Sequence, residues 1–305
     1  MNAYWMLAGP TAVGKSEFAI ALAEKIGGEV VSADSRQIYK DLNIGTAKPT
    51  PEERARVRHH FIDELSLDTR YSAGRFQVDA NRRIGEIIAR DRLPIVVGGS
   101  TLYLHALKHG LAEIPTVSDE VLIDVQMEFN RGGSGALFSE LERVDPRSAA
   151  QLDPTKTQRL IRSVAVHRET GRPLSAFHEI QEPPPYTFQM IVLYRERTEL
   201  YRRINQRVDD MIAQGLLDEV RTILARGYDP AINPLRTIGY QEPIRYLRGE
   251  IAEHEMVRLI KRNSRRYAKR QLTWFRRDGS NMWIDASQRV EELMSAIHRA
   301  TGNAE

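Results

Sequence analysis

The residues best suited to chemistry stand near the start of the chain, in Gly9-Pro10-Thr11-Ala12-Val13-Gly14-Lys15-Ser16. The spacing G-x-x-x-x-G-K-[ST] lets two glycines bend the backbone until successive N–H groups point inward at an anion. The lysine and the hydroxyl then meet phosphate oxygens and a Mg²⁺ ion, with Ser16 on the metal side. The pattern is a phosphate cradle, and it does not say whose phosphates it holds. A second group is Asp34-Ser35-Arg36-Gln37, in which Asp34 closes a predicted strand. In a parallel sheet that position faces the ligand crevice, so Asp34 reads as a catalytic or metal-linked carboxylate, or else as a cap for the turn that follows. A third is Gly98-Gly99-Ser100-Thr101. An ATPase or GTPase usually ends such a strand with a metal-binding acid, whereas hydroxyls and backbone N–H groups hold a phosphate without activating a hydrolytic water. His59 and His60 are adjacent and point to opposite sides of an extended chain, which makes them poor metal ligands and predicts a structural or surface role.

The elements around these groups follow from periodicity. An apolar run at 4–8 predicts a strand, and helical spacing over 16–26 places a helix N-terminus behind the anion. A strand at 29–33, a helix start at 50–54, an amphipathic helix from 72 to about 90, a buried strand at 93–97 and a helix at 102–109 come next. From 118 to about 181 the texture is helical, with segments at 119–130, 134–144 and 155–170 punctuated by Arg131-Gly132-Gly133, Asp145-Pro146 and Gly171-Arg172-Pro173. Pro183-Pro184-Pro185 stiffens a link, and a strand at 187–194 rejoins the sheet. Apolar positions at helical spacing over 204–226, a loop or helix entry at 236–241, a long helix over 251–275 and a closing helix over 289–300 complete the expectation. The fold class is α/β: a P-loop NTPase-like parallel sheet core, 1–117 and 183–305, with a helical insert at 118–182 and a helical C-terminal part.

Hydrophobic content of 41% and charged content of 28% over 305 residues suit an ordinary globular protein, and no apolar run is long enough to span a bilayer. No leader peptide is expected, since the first strand runs straight into the cradle. The absence of cysteine excludes disulfides, thiolate zinc sites and cysteine nucleophiles, and favours a cytoplasmic location. The net charge of +3 is segregated: 195–277 holds 19 Lys or Arg against 11 Asp or Glu, so the rest of the chain is net acidic. That asymmetry points to a polyanionic partner, most plausibly nucleic acid. Lys261, Arg262, Arg265, Arg266, Lys269, Arg270, Arg276 and Arg277 run without an interrupting acid. Bases three and four apart share a helix face, which suits a salt-sensitive grip on a phosphate backbone while Ala268, Leu272 and Phe275 pack inward.

The assembled motifs resemble the bacterial tRNA dimethylallyltransferases, the tRNA isopentenyltransferase family. The resemblance rests on the cradle, Asp34-Ser35-Arg36-Gln37-Ile38-Tyr39, Ile44-Gly45-Thr46-Ala47-Lys48-Pro49, Tyr71-Ser72-Ala73-Gly74-Arg75-Phe76, Gln158-Arg159-Leu160-Ile161-Arg162, Ile238-Gly239-Tyr240 and Ala268-Lys269-Arg270-Gln271-Leu272-Thr273-Trp274. It implies transfer of a dimethylallyl group from dimethylallyl diphosphate to the N6 amine of the adenosine 3′ of the anticodon. Lys15 and the loop N–H groups would neutralise the diphosphate, Thr11 would assist, Ser16 would touch Mg²⁺, and Asp34 would be the general base. Ser100 or Thr101 would supply the hydroxyl of the family's Gly-Gly-Thr turn. Asp34, Ser35, Arg36 and Gln37, then Gln158, Arg159, Leu160, Ile161 and Arg162, then Arg236, Thr237, Ile238, Gly239, Tyr240 and Gln241 would contact tRNA near its target base. Arg265, Arg266, Lys269 and Arg270 would hold its phosphates, and the insert would act as an arm around the anticodon stem-loop. A monomer without membrane contact is expected, and without cysteine there is no zinc finger of the eukaryotic kind. Two rival readings remain. A P-loop kinase of a small metabolite uses the cradle and Asp34 but leaves the basic helix idle, and an RNA-binding protein with a vestigial cradle has no use for Asp34.

Overall fold

The computed structural model describes residues 4–153, 155–178, 183–288 and 295. In chain order the elements are β1 (Tyr4–Ala8), α1 (Lys15–Ile26), β2 (Gly28–Ala33), α2 (Pro51–Arg56), β3 (His59–His60), α3 (Ala73–Ile88), β4 (Leu93–Gly98) and α4 (Thr101–His109). Next come α5 (Asp119–Gly132), α6 (Ser134–Val144), α7 (Pro146–Gln151), α8 (Thr157–Thr170) and α9 (Leu174–His178). The chain then runs through β5 (Phe188–Tyr194), α10 (Arg197–Ala213), α11 (Leu216–Ala225), α12 (Gln241–Leu247), α13 (Glu253–Phe275) and β6 (Met282–Asp285). Local chemistry sets many of the boundaries. Thr50 and Glu53 form a capping box on α2, and the Ser72 hydroxyl accepts from the Arg75 N–H at the start of α3.

The strands form one parallel sheet in the order β3-β2-β4-β1-β5-β6. Registers Ala8↔Gly98 and Ala33↔Gly98 end three strands level, so the cradle, Asp34 and Gly99 issue from the same carboxyl edge. Gly98 is obligatory there, because a Cβ would lie 2.2 Å from the Ala33 carbonyl oxygen. Leu7, Val30, Ile95 and Ile191 of the sheet bury against Phe18 and Leu22 of α1, Ile204 of α10 and Ala268 of α13. That burial anchors α13, the predicted basic helix, directly to the core. Of the His59-His60 pair, His60 is structural. His60 is 2% exposed, with Nε2 2.6 Å from Glu29 Oε2 and Nδ1 2.8 Å from Arg83.

Contacts divide the chain into two compact units, Met1–Lys108 with Pro185–Glu305, and His109–Pro184. The second unit has its own core of Val125, Leu137, Leu141, Leu160, Ile161 and Val164, joined by Ala112, Ile114 and Val117. Those three residues explain why the unit takes in the stretch before 118, where the insert was expected to begin. Two expectations are refined. The helical spacing over 204–226 covers two helices, because Gly215 adopts φ 95° and starts α11 afresh. Asp145-Pro146 starts a helix rather than only ending one: the Asp145 side chain accepts from the Ser148 N–H, and Pro146 occupies the first helical turn of α7. The closing helix expected over 289–300 lies outside the described residues apart from 295. No helix among the described residues is long and apolar enough to cross a membrane.

Candidate active site

A cavity of about 950 Å³ opens at the carboxyl edge of the sheet, and its walls combine the cradle, the Asp34 turn, the Gly98–Ser100 turn, α10, the 236–241 segment and α13. The cradle is bent as its glycines require. Gly14 sits at φ 111°, and a Cβ on Gly9 would lie 2.7 Å from the Leu193 carbonyl oxygen. Ala12 also takes a left-handed conformation, φ 64°, a strain worth about 1–3 kcal/mol that neighbouring contacts must offset. Arginines beyond β5 do so. Arg203 Nε donates to the Ala12 carbonyl at 2.9 Å, and Arg195 Nε to the Val13 carbonyl at 2.9 Å.

Positive charge converges on the cradle. Lys15 Nζ donates to the carbonyls of Gly9 (3.0 Å) and Pro10 (2.9 Å). Burial and the Arg207 guanidinium lower its pKa to about 8, while Asp34 opposes the shift. Arg207, on α10, donates to Thr11 Oγ1 at 3.3 Å and to the Thr46 carbonyl at 3.1 Å, and burial lowers its pKa too. Two desolvated cations side by side, each lined up on the cradle, form a receptor that an anion of more than one charge would stabilise. The cradle is also clamped from α13. Gln271, 3% exposed, accepts from the Thr11 N–H at 3.0 Å and donates to the Gly99 carbonyl at 2.8 Å.

Asp34 satisfies both readings of its position. Its Oδ1 accepts from the Arg36 N–H (2.8 Å) and the Gln37 N–H (3.3 Å), which caps the turn. The carboxylate lines the same cavity as Lys15, and Oδ2 accepts no hydrogen bond among the described residues. The Ser100 hydroxyl accepts from the Ser35 N–H at 3.0 Å and stands on the cavity wall, whereas Thr101 is the first residue of α4 and does not line the cavity. Tyr267 closes the wall beside them, its pKa pushed up to about 12 by burial and Asp34. Ser16 lines the cavity one residue beyond Lys15, whereas Gly9, Pro10 and Val13 do not line it and Val13 is buried in the sheet core.

The residues expected at the RNA separate into groups. Asp34, Ser35, Arg36 and Gln37 line the cavity, as do Arg236, Thr237, Ile238, Gly239 and Gln241. Tyr240 does not: it is 0% exposed, and its hydroxyl donates to Glu219 Oε1 at 2.6 Å, so its expected RNA contact is corrected. Leu160 and Ile161 are core residues of the second unit, at 0% and 5% exposure, and cannot meet a ligand. Gln158 and Arg159 of α8 are exposed, and Arg162 is half-buried. On α13, Arg265 is turned to Asn205 of α10 and Lys261 to Asp209, so those bases bind the protein rather than solvent. Arg266, Lys269 and Arg270 are exposed, and Arg270 also lines the cavity, 5.7 Å over the Tyr267 ring. Sequence reasoning missed Arg207, Arg203, Gln271 and Glu219. Gln271 at least fell within a motif, whereas a lone arginine on an amphipathic helix carries no signal. No group of three or more His, Cys, Asp or Glu among the described residues could by itself hold a metal ion.

The family model for IPP transferase matches residues 37–278. The chain is 52% identical over 296 residues to a tRNA dimethylallyltransferase of Salinibacter ruber, covering 96% of this chain and 91% of that one. It is 44% identical over 295 residues to one from Chlorobium chlorochromatii, covering 95% and 94%. The crystal structure of the full-length tRNA isopentenylpyrophosphate transferase from Bacillus halodurans is similar with a TM-score of 0.73 at 37% identity, covering 98% and 95%. A eukaryotic dimethylallyltransferase, seen in crystallographic snapshots acting on tRNA, reaches a TM-score of 0.83 at 27% identity, covering 98% of this chain and 78% of its own.

Proposed function

Because the chain belongs to the IPP transferase family, we propose that it moves a dimethylallyl group from dimethylallyl diphosphate to the N6 amine of the adenosine 3′ of the anticodon in tRNA, releasing diphosphate. The observation that carries this reading is a single cavity lined by two chemically different sets of residues. The Lys15–Arg207 cradle supplies the charge for a diphosphate, and Arg36, Gln37, Thr237 and Gln241 on the same walls are groups suited to a nucleobase. RNA bases are read when splayed from single-stranded loops, and a base-modifying enzyme must draw its target from the stack.

In the reaction, the C–O bond of the allylic diphosphate breaks with its electron pair passing to diphosphate, and the N6 lone pair bonds to the allylic carbon. Lys15, Arg207 and the cradle N–H groups receive the charge that develops on the leaving group. The N6 proton passes to Asp34. A carboxylate is too weak to deprotonate a free adenine amine, but the amine becomes acidic as it bonds to carbon, and such assistance is worth roughly 10² to 10⁴ in rate. Mg²⁺ suits the donors present: it keeps several waters and takes few protein ligands, so the Ser16 hydroxyl and diphosphate oxygens suffice without an acidic cluster. When bound it neutralises leaving-group charge. Of the two hydroxyls in the Gly98–Thr101 turn, Ser100 is the one on the cavity wall. Exposed Gln158, Arg159, Arg266, Lys269 and Arg270 serve the anticodon stem-loop, and the protein acts as a cytoplasmic monomer.

Incubating the protein with labelled dimethylallyl diphosphate, Mg²⁺ and an unmodified anticodon stem-loop tests the proposal. Label in the RNA supports it. ATP turnover with no label transfer would put the small-metabolite kinase in its place.

A further inference from the structure

Two glycine motifs, Ile44-Gly45-Thr46 and Ile238-Gly239-Tyr240, lie 192 or more residues apart in sequence and meet at one side chain. Glu219 of α11 accepts hydrogen bonds from the backbone N–H groups of Asn43 (3.2 Å), Ile44 (2.8 Å) and Gly45 (3.3 Å), and from the Tyr240 hydroxyl (2.6 Å). The packing leaves no slack. A Cβ on Gly45 would lie 2.4 Å from the Tyr240 ring, and Gly239, beside the Gly45 carbonyl oxygen, takes the left-handed φ of 91°. The loop held this way carries the Thr46 carbonyl, which accepts from Arg207 Nη2 at 3.1 Å and from Gln37 Nε2 at 3.2 Å. Gln37 also donates to the Ala47 carbonyl at 3.2 Å, and its backbone N–H reaches Asp34 Oδ1 at 3.3 Å. One loop therefore sets the aim of an arginine beside the cradle and of the turn that bears Asp34.

We propose that Glu219, with Tyr240, is a positioning residue for the transfer: by clasping the Asn43–Thr46 loop it registers the Arg207 guanidinium against the Asp34–Gln37 turn. Neither clasp residue lines the cavity, so the effect passes through the Thr46 carbonyl. A carboxylate is the required group because it alone accepts several N–H bonds and a hydroxyl bond at once, and an amide in its place would turn a donor against those donors.

The inference rests on the transferase reading, and the wild type is the first arm of the test: no label transfer by the wild type refutes that reading, not this one. With wild-type transfer established, Glu219→Gln is expected to lower kcat/KM for dimethylallyl diphosphate about 10²-fold, the cost of a misplacement of order 1 Å. Tyr240→Phe, which removes one bond to the carboxylate, is expected to lower it about tenfold. Arg226→Ala, which removes an exposed ion pair to Asp41, leaves transfer unchanged. In an Arg207→Ala background the Glu219→Gln penalty shrinks to about tenfold, because the arginine it aims is gone and only the share passed through Gln37 to the Asp34 turn is left. Independent, multiplying penalties in that cycle would overturn the proposal. So would wild-type rates in either clasp variant, or a loss present only at temperatures where the variant unfolds. If Glu219→Gln does not fold, the Tyr240→Phe and Arg207→Ala cycle decides by the same criterion.

Discussion

Alkaline pH should disable the cradle through Lys15. Its pKa is lowered from 10.5 to about 8, by burial first and by Arg207 second, with Asp34 opposing. A bound diphosphate favours the ammonium, so above about pH 8 the empty site must take up a proton as the substrate binds. At saturating anticodon stem-loop, kcat/KM for dimethylallyl diphosphate is therefore level below about pH 8 and falls about tenfold per unit above it, until the pKa of the occupied site is reached. At about pH 9.5 the loss is about 30-fold, equivalent to about 2 kcal/mol. Initial rates of label transfer measure it. Lys15→Arg keeps its proton throughout, so its rates are lower but level over the same range. A wild-type profile that stays level to about pH 9.5, or a Lys15→Arg profile that falls in parallel, would refute the reasoning. The stability of the empty protein has the matching sign. Because the folded pKa lies below the unfolded one, the unfolded chain holds more protons between about 8 and 10.5. Lys15→Met is thus the more stable form below about pH 8, and its advantage shrinks as pH rises through that window.

Asp34→Asn should cut transfer by roughly 10² to 10⁴ while gel-shift affinity for the stem-loop is kept, and an unchanged rate would remove Asp34 from the chemistry. Gln271→Leu leaves the Thr11 N–H without its partner and the Gly99 carbonyl with only the long Tyr267 hydroxyl bond, at about 1–3 kcal/mol if the Thr11 N–H stays buried, which thermal unfolding would register as a lower Tm. Arg266→Ala with Lys269→Ala should flatten the salt dependence of RNA binding, by about 0.7 in log–log slope for each single-strand phosphate that is no longer neutralised. Arg265→Ala, whose partner is Asn205, should leave that slope unchanged. Leu160→Ala should cost about 2–5 kcal/mol of stability in the second unit, a cavity effect that calorimetry would detect, with no direct effect on an RNA contact.

Much of this molecule is written locally. The cradle is legible because its eight consecutive residues carry their own geometry: Gly14 in the left-handed region, a helix that starts at Lys15, a strand that ends at Ala8. Strands β1, β2, β4 and β5 and the longer helices were legible from periodicity, and Asp34 from its place at a strand end, whereas the short β3 and β6 were not. The excess of base over acid in 195–277 was legible as a count.

What the count could not say is which bases face outward. Lys261 and Arg265 turn to α10, while Arg266 and Lys269 turn to solvent, and only the packing of the two helices separates them. Likewise Leu160 and Ile161 sit inside a motif but bury in a core, and Tyr240 serves a carboxylate rather than a base. The second cation of the cradle, Arg207, meets Thr11 across 196 positions, and Gln271 reaches the same residue across 260. Spacing encodes what one turn or one strand can bring together. Contacts between remote segments exist only once hydrophobic burial has docked α10 and α13 on the sheet, so the amino-acid order determined the phosphate cradle and the tertiary structure decided what surrounds it.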